Sequence, residues 1–225
     1  MYLSYLLYFS VLLLLIAVIY IFLFFREKKI LKTALKEIIG CDKIAKLADI
    51  IKIKYYLSAK ITYSQSDKTA KRPLLRATAV QILKSGKGLC GENSRLAVLL
   101  LNYGGVRANR VYLYGKLWQH VVCEFKWGDE YYLFDGHNDP ETSLKDELVG
   151  KILSSDIDSY PNGYTSNPWI DYCRIKILWQ ISFLKFISKM RPHLMLVYIF
   201  ENPYLIKSIF YLFLTMLTVL ISIIL

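Results

Sequence analysis

The stretch Gly88-Leu89-Cys90-Gly91-Glu92-Asn93-Ser94 runs from a glycine turn into an apolar segment, Leu96–Leu101, that is closed by Gly104-Gly105. That order predicts a helix with Cys90 at or just before its N-terminus. There the helix dipole and the unpaired backbone N–H groups stabilise a thiolate and lower its pKa. The same N–H groups can receive the oxyanion of an acyl transfer. A free cysteine is more often a small buried packing residue, but flanking glycines and polar neighbours point to an accessible one.

His120 opens one predicted strand and Asp135 closes the next. Between them, Gly128-Asp129 suits a primed hairpin turn with glycine at its first central position. Pairing Trp127 with Glu130 then sets Val122 opposite Asp135 and His120 opposite His137. Side chains alternate along a strand, so His120, Val122 and Glu124 share a face with Leu133 and Asp135. Val121, Cys123 and Phe125 form the other, core-like face. His120 and Asp135 become diagonal neighbours within reach of an imidazole–carboxylate hydrogen bond. In such a set the thiolate attacks a carboxamide or ester carbonyl, and the histidine stabilises the thiolate and protonates the leaving group. The aspartate fixes the imidazole's tautomer. Taken singly, His120 has the plainer role of a strand histidine bonded to a backbone carbonyl, and Asp135 that of a turn former before Gly136.

Several other residues have two roles open to them. Glu92 is expected to cap the Cys90 helix. His137 is a second candidate partner for His120, although its place after Asp135-Gly136 suits a loop. Tyr63 and Gln65 are positioned to offer an oxyanion donor, or are ordinary surface or turn residues. Trp118 either walls a cleft or packs beside its strand. Cys41, Cys90, Cys123 and Cys173 are too sparse for a disulfide framework or a CxxC site. With His120, His137 and His193 the only histidines, no metal site of Cys and His is expected. No cofactor is implied, and no acidic cluster suggests calcium.

These side chains need elements to hold them. Glu27–Tyr56 carries apolar residues at three- and four-residue intervals and reads as two helices broken around Gly40-Cys41-Asp42. Ser64–Arg72 reads as a loop, and Pro73 as the start of a helix through about Lys84. Val106–Gly115, Gln119–Trp127 and Glu130–Asp135 are aromatic and β-branched and read as strands. Ser154–Cys173 is expected to be irregular, and Ile175–Ile187 to pack on the domain or lie along a membrane. Helices followed by an antiparallel meander make an α+β domain.

The ends of the chain are different in kind. Of 225 residues 55% are apolar, above the roughly 45–50% of soluble domains. Residues 1–25 and 208–225 hold no charged side chain. Each is long enough to cross a bilayer core, and the first lacks the basic start and cleavage site of a signal peptide. The expected organisation is therefore a first span at 1–25, basic juxtamembrane helices at 26–60, a core domain at 61–173, a basic amphipathic segment at 174–204 and a second span at 205–225. The net charge of +11 is wholly juxtamembrane. Residues 26–60 carry 10 Lys/Arg against 4 Asp/Glu, residues 174–207 carry 6 against 1, and residues 61–173 are balanced. A neutral core argues against nucleic acid and for membrane lipids as a partner. Basic residues after the first span and before the second put the domain on the cytoplasmic side.

Gly88-Leu89-Cys90-Gly91-Glu92, the Leu96–Leu101 helix, Gly104-Gly105-Val106-Arg107-Ala108, His120-Val121-Val122-Cys123-Glu124 and Tyr132-Leu133-Phe134-Asp135 together resemble the transglutaminase-like superfamily, over residues from about 45 to 137. The resemblance implies a papain-like α+β core, with Cys90 as nucleophile, His120 as general base and acid, and Asp135 as its orienter. The Cys-Gly-Glu start is also similar to peptide:N-glycanases, but their zinc-binding CxxC pairs are missing. The reading that follows is a membrane-anchored thiol enzyme acting on an amide of a peptide or protein substrate, a hydrolase or protease before an acyltransferase. Two alternatives stand beside it: a catalytically silent module that binds a protein at the membrane, and a regulatory subunit of a larger membrane complex.

Overall fold

The computed structural model describes residues 2–63, 77–114, 119–136, 165–166 and 190–224. Six helices and six short strands lie within them. Helix α1 (Tyr2–Ile39) is followed by α2 (Leu47–Lys60), strand β1 (Thr62–Tyr63), α3 (Ala79–Ser85), β2 (Lys87–Gly88) and α4 (Cys90–Tyr103). Strands β3 (Ala108–Tyr114), β4 (Gln119–Trp127), β5 (Glu130–Phe134) and β6 (Thr165–Ser166) come next, and α5 (Leu194–Glu201) and α6 (Pro203–Ile224) complete the order. The class is α+β, as the pattern of periodicities predicts.

The first expected span and the first juxtamembrane helix are one continuous helix. Nothing between Tyr2 and Ile39 breaks the backbone ladder, and α1 ends only where Gly40 adopts a left-handed φ of 82° and returns its N–H to the Lys36 carbonyl at 2.8 Å. One helix therefore serves two environments. Its apolar first half bears outward-facing Tyr5, Tyr8, Phe9 and Leu12, whereas Leu31, Ala34, Leu35 and Ile39 are buried in the domain core. Helix α6 runs back beside it: Tyr20 stacks on Tyr204 and Tyr211 at 6.0 and 5.6 Å, and Phe24 meets Tyr198 edge-on at 5.7 Å. Both α1 and α6 are long and apolar enough to cross a membrane.

The core gathers Ile50, Ile53 and Leu57 of α2, Val80 and Ile82 of α3, and Leu96–Leu101 of α4 against Ala108, Cys123, Phe125 and Phe134 of the sheet. The sheet order is β5-β4-β3-β6, antiparallel throughout. Gly128 has a φ of 62°, as primed turns require of their first central residue, and Trp127 pairs with Glu130. Hairpin register therefore follows the sequence expectation. Two local readings need correction. Helix α3 begins after Thr78, whose hydroxyl accepts the Gln81 N–H while the Gln81 side chain accepts the Thr78 N–H; this reciprocal cap, and not Pro73, sets the start. Within the stretch expected to be irregular, Thr165-Ser166 pairs with Tyr114-Leu113. Residues 64–76 and 175–187 lie outside the described residues.

The domain closes on its C-terminal helices through buried charge. Glu201, at the end of α5, receives Arg110 Nε of β3 at 2.6 Å and Arg95 Nε of α4 at 3.3 Å; Arg95 and Glu201 are buried and the Arg110 side chain is only 10% exposed. Arg95 also donates to the Ala77 carbonyl at 2.8 Å. Removing a shared buried carboxylate strands both guanidinium groups, so Glu201→Ala should cost ~3–5 kcal/mol. Unfolding of the detergent-solubilised chain against denaturant measures this, and a loss below about 1 kcal/mol, the value of an exposed pair, would contradict the assignment.

Candidate active site

Helix α4 begins at Cys90, where the sequence pattern expects it. Leu89 is extended (φ −87°, ψ 169°) and its N–H is accepted by Glu92 Oε2 at 2.9 Å. Glu92 thus closes the first turn, the capping role expected of it. Ser94 Oγ lies 2.8 Å from the Cys90 carbonyl oxygen and 2.7 Å from that of Val121. Its hydroxyl proton clamps the first turn of α4 to β4, with the Cys90 carbonyl at one end of the clamp. Sequence analysis missed Ser94, although its spacing of four from Cys90 at a helix start was a usable signal.

The register continues one step beyond Cys123↔Phe134 to set Val122 opposite Asp135, which makes His120 and Asp135 diagonal neighbours. His120 Nε2 lies 2.6 Å from Asp135 Oδ2, and both side chains are buried. That contact leaves Nδ1 as the ring nitrogen for Cys90, with which His120 shares a hydrogen bond. The three residues singled out by spacing alone come together in the order Cys90–His120–Asp135.

Electrostatics follow from that order. Burial by itself pushes the Cys90 thiol up. The His120 hydrogen bond, the His120 charge and the N–H groups of Val121 and Gly91 outweigh burial, and the thiol ends below its ordinary value. Burial likewise opposes the His120 imidazolium, yet the hydrogen bonds to Asp135 and Cys90 and their charges raise it to about 10. A thiolate–imidazolium pair is therefore favoured from the lowered Cys90 value up to about pH 10. Arg110 stands behind it. Burial works against its guanidinium, while Glu201, Tyr112 and the Cys90 charge hold it ionised. Neither Arg110 nor Glu201 was singled out in the sequence, because an ion pair across 91 residues has no local signature.

The remaining candidates separate cleanly. Cys123 is fully buried and its thiol is pushed well up, by burial first and then by Glu124 and Glu201; it packs, as its strand face predicts. Cys41 is exposed. Tyr63 is half exposed, in β1. His193 caps α5, its Nδ1 accepting the Met195 N–H at 3.3 Å. Gln65, Trp118, His137 and Cys173 lie outside the described residues. On the His120 face of the sheet, Glu124 is fully buried and held by Asn109 Nδ2 at 3.2 Å and by Arg191 through two 3.1 Å contacts. Arg191 in turn lies 3.9 Å from the centre of the Tyr131 ring.

Residues 34–136 match the family model of the transglutaminase-like superfamily, and the chain carries a transglutaminase-like domain over that stretch. The match starts in the second half of α1 and ends one residue past Asp135, so it encloses all three site residues. Among solved structures the chain is similar to a candidate cysteine protease from Cytophaga hutchinsonii, at 16% identity over 48% of this chain and 37% of that one, with a TM-score of 0.41. It is also similar to a TGase, at 13% identity over 63% of this chain and 38% of that one, with a TM-score of 0.43. The chain spans little more than a third of the length of either. No curated protein matches it.

The electrostatics have a direct readout in alkylation. At neutral pH Cys90 should react with iodoacetamide faster than exposed Cys41, and keep reacting below the ordinary thiol range. In His120→Ala the burial effect persists without its largest opponent, so the Cys90 profile should move to higher pH. Peptide mass spectrometry resolves the two cysteines; an unmoved profile would show that His120 does not set the thiol.

Proposed function

We propose that the chain is a membrane-anchored thiol enzyme that opens an amide bond by acyl transfer through Cys90, hydrolysing it and not passing the acyl group to an amine. The observation that carries this reading is a buried histidine bonded to Asp135 on one side and to the cysteine at a helix N-terminus on the other. A transglutaminase-like domain, from a superfamily of thiol enzymes, supports the same chemistry.

In the proposed cycle the Cys90 thiolate attacks the amide carbonyl carbon, and the carbonyl oxygen takes up the displaced electron pair. In this reading N–H groups at the start of α4 stabilise that oxyanion. His120, protonated beforehand, gives its proton to the leaving nitrogen as the C–N bond breaks, and a thioester remains on Cys90. A water then attacks the thioester, His120 takes its proton, and the thiolate leaves with the carboxylic acid as product. Asp135 holds the ring so that the nitrogen facing the thiol carries the shuttling proton. An amine in place of that water would make the same enzyme a transferase.

Turnover tests this with a panel of peptide and glutamine-type amides, measured as released amine or ammonia. Cys90→Ala should lose all turnover while retaining the wild-type unfolding transition, and His120→Ala should lose about 10²–10⁴-fold. Equal turnover by wild type and Cys90→Ala would end the proposal, and the absence of both turnover and a Cys90 thioester would favour a silent binding module.

The charge pattern supports a cytoplasmic domain. Exposed Cys41 reports on it: a membrane-impermeant maleimide added to intact cells should leave Cys41 unmodified until the cells are lysed. Rapid labelling from outside would reverse the orientation.

A further inference from the structure

Helix α5 is inside out for a helix facing water. Its one charged side chain, Glu201, points inward with Val197, while Leu194, Met195, Leu196 and Phe200 are exposed. Water-facing helices place charge outward and apolar residues inward. The reversed pattern matches a surface that faces lipid.

Its height in the molecule says which part of the lipid. Helices α1 and α6 lie antiparallel, with Tyr20 beside Tyr204 and Tyr211. One turn along α1, Phe24 meets Tyr198 of α5, and Lys28 Nζ lies 5.5 Å from the centre of the Tyr198 ring. Helix α5 is therefore level with Phe24–Lys28, where the charge-free stretch of α1 ends. From that level onward the same α1 helix presents Phe25, Lys28, Lys29, Lys32, Thr33 and Lys36; together with Asp42, which pairs with Lys36 at 3.5 Å, they line a concavity of about 420 Å³. Their spacing of three and four residues makes one stripe, running about 16 Å along the axis.

We propose that this is a membrane-docking surface: the outward face of α5 is seated at the boundary of headgroups and acyl chains, and the lysine stripe of α1 holds anionic phospholipid headgroups. The assignment rests on the membrane-anchored reading. Leucine, methionine and phenylalanine gain by leaving water at that depth, and each nearby lysine adds electrostatic attraction of about 1 kcal/mol for an anionic surface. The occupant is lipid and not a protein partner because α5 packs beside α1 and α6, whose exposed side chains from Tyr5 to Phe25 and from Ile206 to Ile224 are apolar.

Photolabelling of the full wild-type chain in nanodiscs tests this without substitutions. A phospholipid with its photoreactive group near the ester should label Met195, Leu196 and Phe200. One with the group at the acyl terminus should label α6 near Leu217. Labelling of α6 without α5 would overturn the docking of α5 while leaving the spans in place; labelling of neither would remove the anchored reading itself. A headgroup-reactive phosphatidylglycerol should label residues 28–36 well above a headgroup-reactive phosphatidylcholine, and equal labelling would overturn the anionic site. Glu substituted at the outward face supplies a second readout: Phe200→Glu should reduce shallow labelling of α5 and leave deep labelling of α6 unchanged, and unchanged α5 labelling would contradict the seating.

Discussion

Glu201 is the point on which the arrangement depends. A carboxylate taken out of water is costly unless its charge is met and its lone pairs are filled, and Glu201 is met twice. Arg95 comes from the helix that carries Cys90 at its start, and Arg110 from the strand next to the one that carries His120. The contact therefore joins the helix of Cys90, the sheet of His120 and the helix leading into the second long apolar helix. Arg95 extends it further, since its charge also acts on Glu27, which accepts hydrogen bonds from Thr78 and the Val80 N–H. A fold whose two ends run off into a helical hairpin gains from this a fixed orientation between hairpin and α+β domain.

Burial works in two directions at the site. It disfavours both the thiolate and the imidazolium, yet it strengthens every interaction between them by lowering the local dielectric. The second effect wins only because each charge has a partner at contact distance: Asp135 for His120, and His120 with two backbone N–H groups for Cys90. The chain just after Asp135 is closely packed. The position of Gly136 leaves no room for a Cβ beside the Asn93 side chain, and the Gly136 carbonyl accepts the Ser58 hydroxyl at 3.1 Å. Asn93 is itself on α4, three residues past Cys90, so one helix carries Cys90 at its start and also packs against the chain just after Asp135.

What the sequence made legible was local or periodic. The Gly128 turn fixed the pairing of Trp127 with Glu130, and strand alternation did the rest, bringing His120 to Asp135 without any long-range information. The glycine-to-apolar transition placed Cys90 at the start of α4. What it hid was non-local or bridged two environments. A run of apolar residues followed by lysines looks like a span joined to a separate helix, but helix continuity depends on the backbone, and nothing before Gly40 interrupts it. The reciprocal Thr78/Gln81 cap that starts α3 is itself a local signal, a threonine followed three residues later by a glutamine. The ion triad could not be seen, because Arg95, Arg110 and Glu201 are ordinary residues until the fold removes the water around them.

The inverted polarity of α5 follows from the same constraint. A helix of eight residues between a folded domain and a long apolar helix has one charged side chain to place. Outward, in an apolar medium, that carboxylate would have no partner; inward it meets two arginines. The domain in turn holds the Arg95 and Arg110 guanidinium groups largely out of water, Arg110 within the field of Cys90, and leaving both unbalanced would be costly. Placing Glu201 on the inner face resolves both difficulties at once. It frees the outer face of α5 to be wholly apolar, and it leaves Arg110 charged beside Cys90 with its own cost of burial already met.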